Sequence, residues 1–443
     1  MVQIRRRKTL QLSAAGAVAA TTGGLAGILA SGRAPAYAQG QTMHWLRWAD
    51  FVPASDQLLK GDIARQCEKD LGMKLTIETI NANDIQARIT AAVQSGAGPD
   101  IFLALNNWPQ LYGDSCADVG DVADELGKSQ GGFYDICKVT ATIGNKWIGV
   151  PWCVGGGLVA YRKSWLADAG SPNGFPANWD DFRTVGKKLK AAGHPIGQTA
   201  GHTFGDAPGW WYPYLWSWGG KEVEVDGKTV VLNTKETVES VKFAVVLWKE
   251  TMDEGGLAWD DTSNNRAFLS GSISATNNGA SIYLEAKKKP DVYLTDKGTP
   301  MKDDILHASI PGGAGGVFNL PGPFTNLVMK YSKNQAAAKK FITWMSSKDI
   351  FNQWFVSQQG YTCGPTKVWE DHPVWNLDPI MAPFKKIPVT GRLLGYAGPP
   401  DQKAAEVQTK YIIVDMYAKA IQGMDPAESV KAAHDELVKI YSA

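Results

Sequence analysis

Three consecutive glycines, Gly155-Gly156-Gly157, join two apolar extended runs about one third of the way along the chain. The first run, Lys146 to Val154, contains Pro151, which has no N–H to give to a ladder and so reads as a break in any central strand. Glycines let the backbone bend and let another group come close to it. Two architectures satisfy such a stretch. One is a crossover between two lobes; the other is a strand–bulge–strand within a single sheet.

The segment before it narrows the fold class. Met43 to Trp48 reads as a strand, followed by a helix with Leu58, Leu59, Ile63 and Leu71 on one face. Lys74 to Ile80 alternates as a second strand, and Asp84 to Gln94 carries Ile85, Ile89 and Val93 at helical spacing. Gly96 to Asp100 breaks the pattern before a buried strand, Ile101 to Leu105. This β-α-β-α-β order predicts an α/β fold on a parallel sheet with right-handed crossovers. Ligands of such sheets sit outside the carboxyl ends of the strands. That places Trp48, Ala49 and Asp50 at the crevice, with Asn106, Asn107 and Trp108 beside them. Asp50 and Asn107 suit hydroxyl groups, and Trp48 and Trp108 suit a ring face. The alternative for Asp50 and Asn107 is capping of the helix that follows each.

Charge is unevenly placed. Five of the 45 basic residues (Arg5, Arg6, Arg7, Lys8, Arg33) and none of the 44 acids precede residue 39. The remainder holds 40 basic against 44 acidic residues, which points away from nucleic acid and anionic membrane surfaces. Arg6-Arg7-Lys8-Thr9-Leu10 follows the twin-arginine export pattern. A weakly hydrophobic Ala/Gly-rich run comes next, and Ala36-Tyr37-Ala38 supplies small residues for cleavage after Ala38. Residues 1–38 are therefore expected to be a signal peptide, with export to the periplasm and no membrane anchor after cleavage. The five cysteines have no C-x-x-C pair, and the six histidines are scattered, so no metal or cofactor is expected. A Cys116–Cys137 bridge stays open. The 17 tryptophans favour a ligand with flat apolar faces.

Several segments carry a resemblance. Gly149-Val150-Pro151-Trp152, followed by small residues and Leu158-Val159-Ala160-Tyr161-Arg162-Lys163, resembles the first hinge of periplasmic solute-binding proteins of the maltose-binding-protein type, a carbohydrate-binding group. Gly96-Ala97-Gly98-Pro99-Asp100-Ile101-Phe102 is similar to the family's segment before its third strand. Phe175 to Phe182, Phe268 to Gly279, Gly322 to Met329 and Ala337 to Met345 resemble later family segments in the same order. The resemblance implies a two-lobed periplasmic binding protein fold (type II-like), with two α/β sheets joined by a multi-strand hinge. Residues 43–152 and 275–324 would form the first lobe, and 155–271 and 330–443 the second. The chain would cross at 151–157, 271–276 and 323–330. It also implies a helix beginning near Trp211, with Trp210 or Trp211 facing the cleft. Trp152 at the hinge, Asn278, Phe324 and Tyr361 would border the ligand. Trp179 and Trp248 are expected in the core.

The function implied is capture of a sugar or polyol by lobe closure. A monomer would then deliver it to an ABC permease and its ATPase subunits. At the hinge position where maltose-type proteins carry a sugar-binding Glu, this chain has Gly155, which argues against maltose itself. A charged solute is the alternative: basic cleft residues, with Arg392 as candidate, for a glycerophosphodiester, or two or more cleft carboxylates for a polyamine. An exported enzyme is a further rival, but no acid pair or metal cluster marks one.

Overall fold

The computed structural model describes residues 41–442, so the expected signal peptide lies outside the described residues. The strands used below are β1 (Gln41–Trp48), β2 (Met73–Ile80), β3 (Ile101–Leu105), β4 (Val150–Gly156), β5 (Leu158–Arg162), β6 (Ala275–Asn278), β7 (Ile305–Ala308) and β8 (Pro321–Val328). They form a five-stranded sheet ordered β2-β1-β3-β8-β4 and a three-stranded sheet ordered β6-β5-β7.

The first sheet opens with the parallel β2-β1-β3 unit that the alternating pattern predicts. The helix Ala82–Ser95 is fixed at both ends by local chemistry. Asn81 accepts a hydrogen bond from the Asn83 N–H at its start, and Gly96 takes the left-handed conformation at its end. β8 then enters antiparallel between β3 and β4. Every residue of β3 and β8 is buried.

Pro151 does not break its strand. β4 runs through it because β4 is at the sheet edge, and the register against β8 slips at this point, between Phe324 and Thr325. A proline on an edge strand beside a bulge leaves no ladder donor missing. β4 ends at Gly156 in one sheet and β5 begins at Leu158 in the other, so the glycine joint is a crossover between lobes.

The expected second crossing is corrected. β6 does not return to the first lobe; Leu158 to Tyr161 of β5 pair antiparallel with Asn278 to Ala275. A short, fully buried Ala-Thr-Asn-Asn strand fits beside β5 in the smaller sheet. The chain returns instead between β7 and β8. The next assignment is corrected too. Helices Gln335–Met345 and Lys348–Ser357 pack on the first sheet, with Phe341 against Trp45 (5.7 Å) and Trp354 against Trp152 (4.6 Å). Only the last helices belong to the second lobe, where Tyr417 stacks on Trp211. The chain therefore crosses again between the Lys348–Ser357 helix, packed on the first sheet, and the Ile412–Ile421 helix, packed on Trp211.

Contacts hold the lobes together away from the crossings. Trp108 Nε1 donates to Gln408 Oε1 at 2.7 Å, both residues being buried. The Phe204 N–H donates to Asn83 Oδ1 at 2.8 Å. All five cysteines are free and buried, so Cys116 and Cys137 are not bridged.

One ion pair is sealed inside the first lobe. Arg47 on β1 is fully buried, 3.3 Å from Asp50 and 3.5 Å from Asp56. Removing one member of a buried pair strands the other charge in a low-dielectric interior. Arg47→Ala is expected to lose about 3–5 kcal/mol of stability, read as a lowered urea midpoint. A midpoint within error of the parent would show that the pair contributes nothing.

Candidate functional site

The carboxyl ends of the first sheet and the facing loops of the second lobe enclose a cavity of about 80 Å³. At roughly 10–15 Å³ per water-sized sphere, this is space for one small molecule. Its two walls differ in chemistry.

The first-lobe wall is aromatic, with Trp48 at its centre. Phe324 lies 5.1 Å and Phe51 5.6 Å from the Trp48 ring, both edge-on. Tyr361 lies at 6.3 Å with its plane only 23° away. Phe204 reaches across from the second lobe to 5.8 Å. Its backbone is anchored to the first lobe at both ends. The Phe204 N–H donates to Asn83 Oδ1 (2.8 Å), and Asn106 Nδ2 donates to the Phe204 carbonyl (3.2 Å). Asn106 has φ of 52°, a left-handed turn at the end of β3 that Asn tolerates. Gly279 closes the gap opposite, where a β-carbon would stand 2.9 Å from Tyr361 Cε2.

The second-lobe wall is polar. Asp206 opens the helix Asp206–Ser217, where a carboxylate is favoured by the helix dipole. Its backbone N–H donates to Asp261 Oδ1 at 2.8 Å. Its Oδ2 accepts from Asn264 Nδ2 (2.7 Å) and Asn278 Nδ2 (3.2 Å). The Ser281 hydroxyl donates to Asn278 Oδ1 at 2.8 Å and fixes that amide. Asp206 keeps some access to the cavity but is ringed by protein. Burial, then the nearby Asp261 charge, pushes its carboxyl well above the usual range. Burial pushes Asp261 up to about 6, opposed chiefly by the Asp206 N–H. The Thr203 hydroxyl also eases the Asp261 charge, yet Asp261 Oδ2 has no partner in hydrogen-bond geometry.

Of the residues expected at the site, Trp48, Asn278, Phe324 and Tyr361 line this cavity. Seven others do not. The Asp50 carboxylate is taken up internally by Arg47, the Val52 N–H, the Ser55 hydroxyl and Gln358 Nε2, and it closes the turn before helix Pro53–Leu58. Asn107 is buried behind the wall with its side-chain amide unbonded, because the left-handed turn presents Asn106 instead. Trp108 is committed to Gln408. Trp152 is packed among Trp45, Phe351 and Trp354. The helix thought to begin near Trp211 begins five residues earlier, which carries Trp210 and Trp211 into the core. Trp210 packs on Trp179 (5.6 Å), and Trp211 stacks on Tyr417 (4.6 Å). Arg392 is held between the Phe318 and Tyr396 rings, at 3.6 and 3.9 Å.

Sequence reasoning placed Asn106 at the crevice without giving it a role, and passed over Phe204, Asp206 and Asp261. Pro208 was the available signal for Asp206, because proline favours the first turn of a helix. Asp261 is brought to Asp206 only by tertiary folding. Among the described residues, no group of three or more His, Cys, Asp or Glu is placed to hold a metal.

Residues 62–383 match the family model described as bacterial extracellular solute-binding protein. The diacetylchitobiose binding protein DasA of Streptomyces coelicolor is 29% identical over 182 residues, 39% of this chain and 40% of that one. A probable amino-acid ABC transporter periplasmic-binding protein of Sinorhizobium fredii is 23% identical over 65% of each chain. The chain thus spans less than two thirds of the length of both relatives. Among solved structures, maltose-bound MalE3 of T. maritima superposes with a TM-score of 0.74 at 19% identity, over 89% of this chain and 99% of that one. A ribitol-bound solute-binding protein of Agrobacterium radiobacter gives 0.70 at 20%, over 90% and 98%. These likenesses establish the shared fold.

The carboxyl pair has a signature in stability. A carboxyl whose folded pKa is raised contributes stability that is fully present below its unfolded value and is lost as pH rises through the folded one. For Asp261 that window runs from about 4, the ordinary carboxylate value, to about 6. Asp261→Asn is expected to flatten the fall in ligand-free melting temperature across it. An unchanged slope would show that Asp261 does not titrate there.

Proposed function

The chain belongs to the bacterial extracellular solute-binding protein family, and from this we propose that it captures a small polyhydroxylated solute, a sugar or polyol, between its lobes. Family membership places its work in the periplasm or outside the cell. The observation that carries the ligand class is the two-faced cavity. An aromatic wall centred on Trp48 faces an Asp206, Asn278 and Ser281 wall. Sugars and polyols present C–H faces to rings and hydroxyls to oriented polar groups. The maltose and ribitol named for the structural neighbours agree with this class.

Closure follows from the same contacts. Phe204 meets Asn83, Asn106 and Trp48 across the lobe boundary, and Trp108 meets Gln408. A ligand touching both walls adds free energy only to the closed arrangement and shifts the population toward it. The closed monomer would then hand its solute to an ABC permease driven by ATPase subunits. Export by the twin-arginine route, through Arg6-Arg7, completes the proposal. A glycerophosphodiester has no basic residue to meet on the cavity wall. Hydrolysis finds little support, because Asp206 and Asp261 share one wall instead of flanking a bond from opposite sides.

A thermal-shift screen of the chain from Gln39 against sugars and polyols tests this reading. A ligand at a hundredfold its dissociation constant adds about 2.7 kcal/mol of stability. The expected hit is lost in Trp48→Ala and kept in Trp211→Phe. A hit indifferent to Trp48→Ala would place binding elsewhere.

A further inference from the structure

We propose that the solute of this cleft carries a protonated amine, seated against Asp206 and Asp261, so that the ligand class is amino sugars or amino polyols. This rests on the reading of the cleft as a site for a polyhydroxylated solute and narrows it.

The argument begins with charge. Two adjacent carboxyl groups stand on one cavity wall, linked by the Asp206 N–H to Asp261 Oδ1 bond at 2.8 Å. No Lys, Arg or His is among the residues lining the cavity. Two other enclosed acids have a cation, Asp50 with Arg47 at 3.3 Å and Asp304 with Arg162 at 2.7 Å, whereas Asp100 and Glu222 are held by neutral donors away from the cavity. Asp206 has only the neutral amides of Asn264 and Asn278. An enclosed charge without a partner is costly, and an entering cation would relieve it.

A second observation is independent of the pairing. Asp261 is only 5% exposed, lines the cavity, and leaves Oδ2 without a hydrogen-bond partner. That is an unfilled acceptor on a residue of the wall, in a carboxyl whose charge the Thr203 hydroxyl and the Gly205 N–H only partly ease. A third is the opposite wall, where Trp48, Phe324 and Tyr361 stand together. Aromatic faces are the negative ends of ring quadrupoles and attract ammonium groups. Asn278, Ser281 and Asn106 remain for hydroxyls.

The surroundings set the pH behaviour. Asp260 adds negative charge beside both carboxyls, the Tyr361 phenol faces them across the cavity with Asp50 behind it, and Tyr411 stands near Asp261. Arg266 pairs with Asp260 at 3.9 Å and Arg47 with Asp50, but no cation acts on Asp206 or Asp261 themselves, so the pair retains proton in the free protein. Burial is the main cause for each. Entry of an ammonium ion ionises the pair and releases that proton to solvent, with no covalent change. Affinity for an amine therefore rises as pH rises through about 6.

Isothermal titration calorimetry of the chain from Gln39 with matched pairs tests this: D-glucosamine against D-glucose, and 1-amino-1-deoxysorbitol against sorbitol. At about pH 7 at least one amine is expected to bind tenfold or more tighter than its neutral partner, with the gap narrowing near pH 5. Repeating the titration near pH 6 in buffers of different ionisation heat is expected to show proton release for the amine and none for the neutral analogue. Asp261→Asn is expected to remove both differences; if it fails to fold, the proton release of the parent still decides. Neutral members binding as well as or better than amines would overturn the amine and leave the cleft reading standing. Silence from all four would overturn both. Tight binding of spermidine or choline, with the four silent, would keep the cationic seat and overturn the polyhydroxylated class.

Discussion

The insertion of β8 between β3 and β4 is the pairing on which the molecule depends. Its eight residues are all buried, and it pairs antiparallel with a neighbour on each side, Phe324 to Asn326 with both. Without β8 the parallel unit would end at β3, and β4 would have no partner in that sheet. Its insertion brings the returning chain beside the outgoing one, so that crossings at Gly157 and before Pro321 run close together. It also sets Phe324 against Trp48 at the mouth of the strands. The sheet's own hydrogen bonding thus positions both the joint and half of the ligand wall.

The lobes are built by one rule and furnished differently. The first presents rings at the cleft, because its strand ends carry Trp48, Phe324 and the Tyr361 loop. The second presents a helix start and a short Asn-rich strand, which supply Asp206, Asn277 and Asn278. Apolar faces and hydrogen-bonding groups therefore meet only when the lobes meet. Closure and recognition are one event in such an arrangement, since neither wall alone satisfies a polyhydroxylated molecule.

Much of this was legible in the sequence, and the losses have physical causes. The β1–β3 unit followed from periodicity, and Trp48 followed from the rule for strand ends. Order along the chain carried the family and the two lobes. Lobe membership of Ala275–Asn278 was not legible, because four small and polar residues say nothing of which sheet edge they join. Tryptophan density misled at Trp210 and Trp211. A large ring is as useful to a core as to a ligand, and only the true helix start separates the two roles. Asp206 and Asp261 went unseen because they lie 55 positions apart and are brought together by folding alone.

On the proposed function, this protein works by closing around its solute. Small-angle X-ray scattering of the chain from Gln39, with and without a saturating ligand, tests it most directly. The radius of gyration is expected to fall on binding, and Gln408→Ala is expected to weaken the closed form and reduce that fall. Saturation with ligand at an unchanged radius of gyration, in a protein that starts open, would contradict closure.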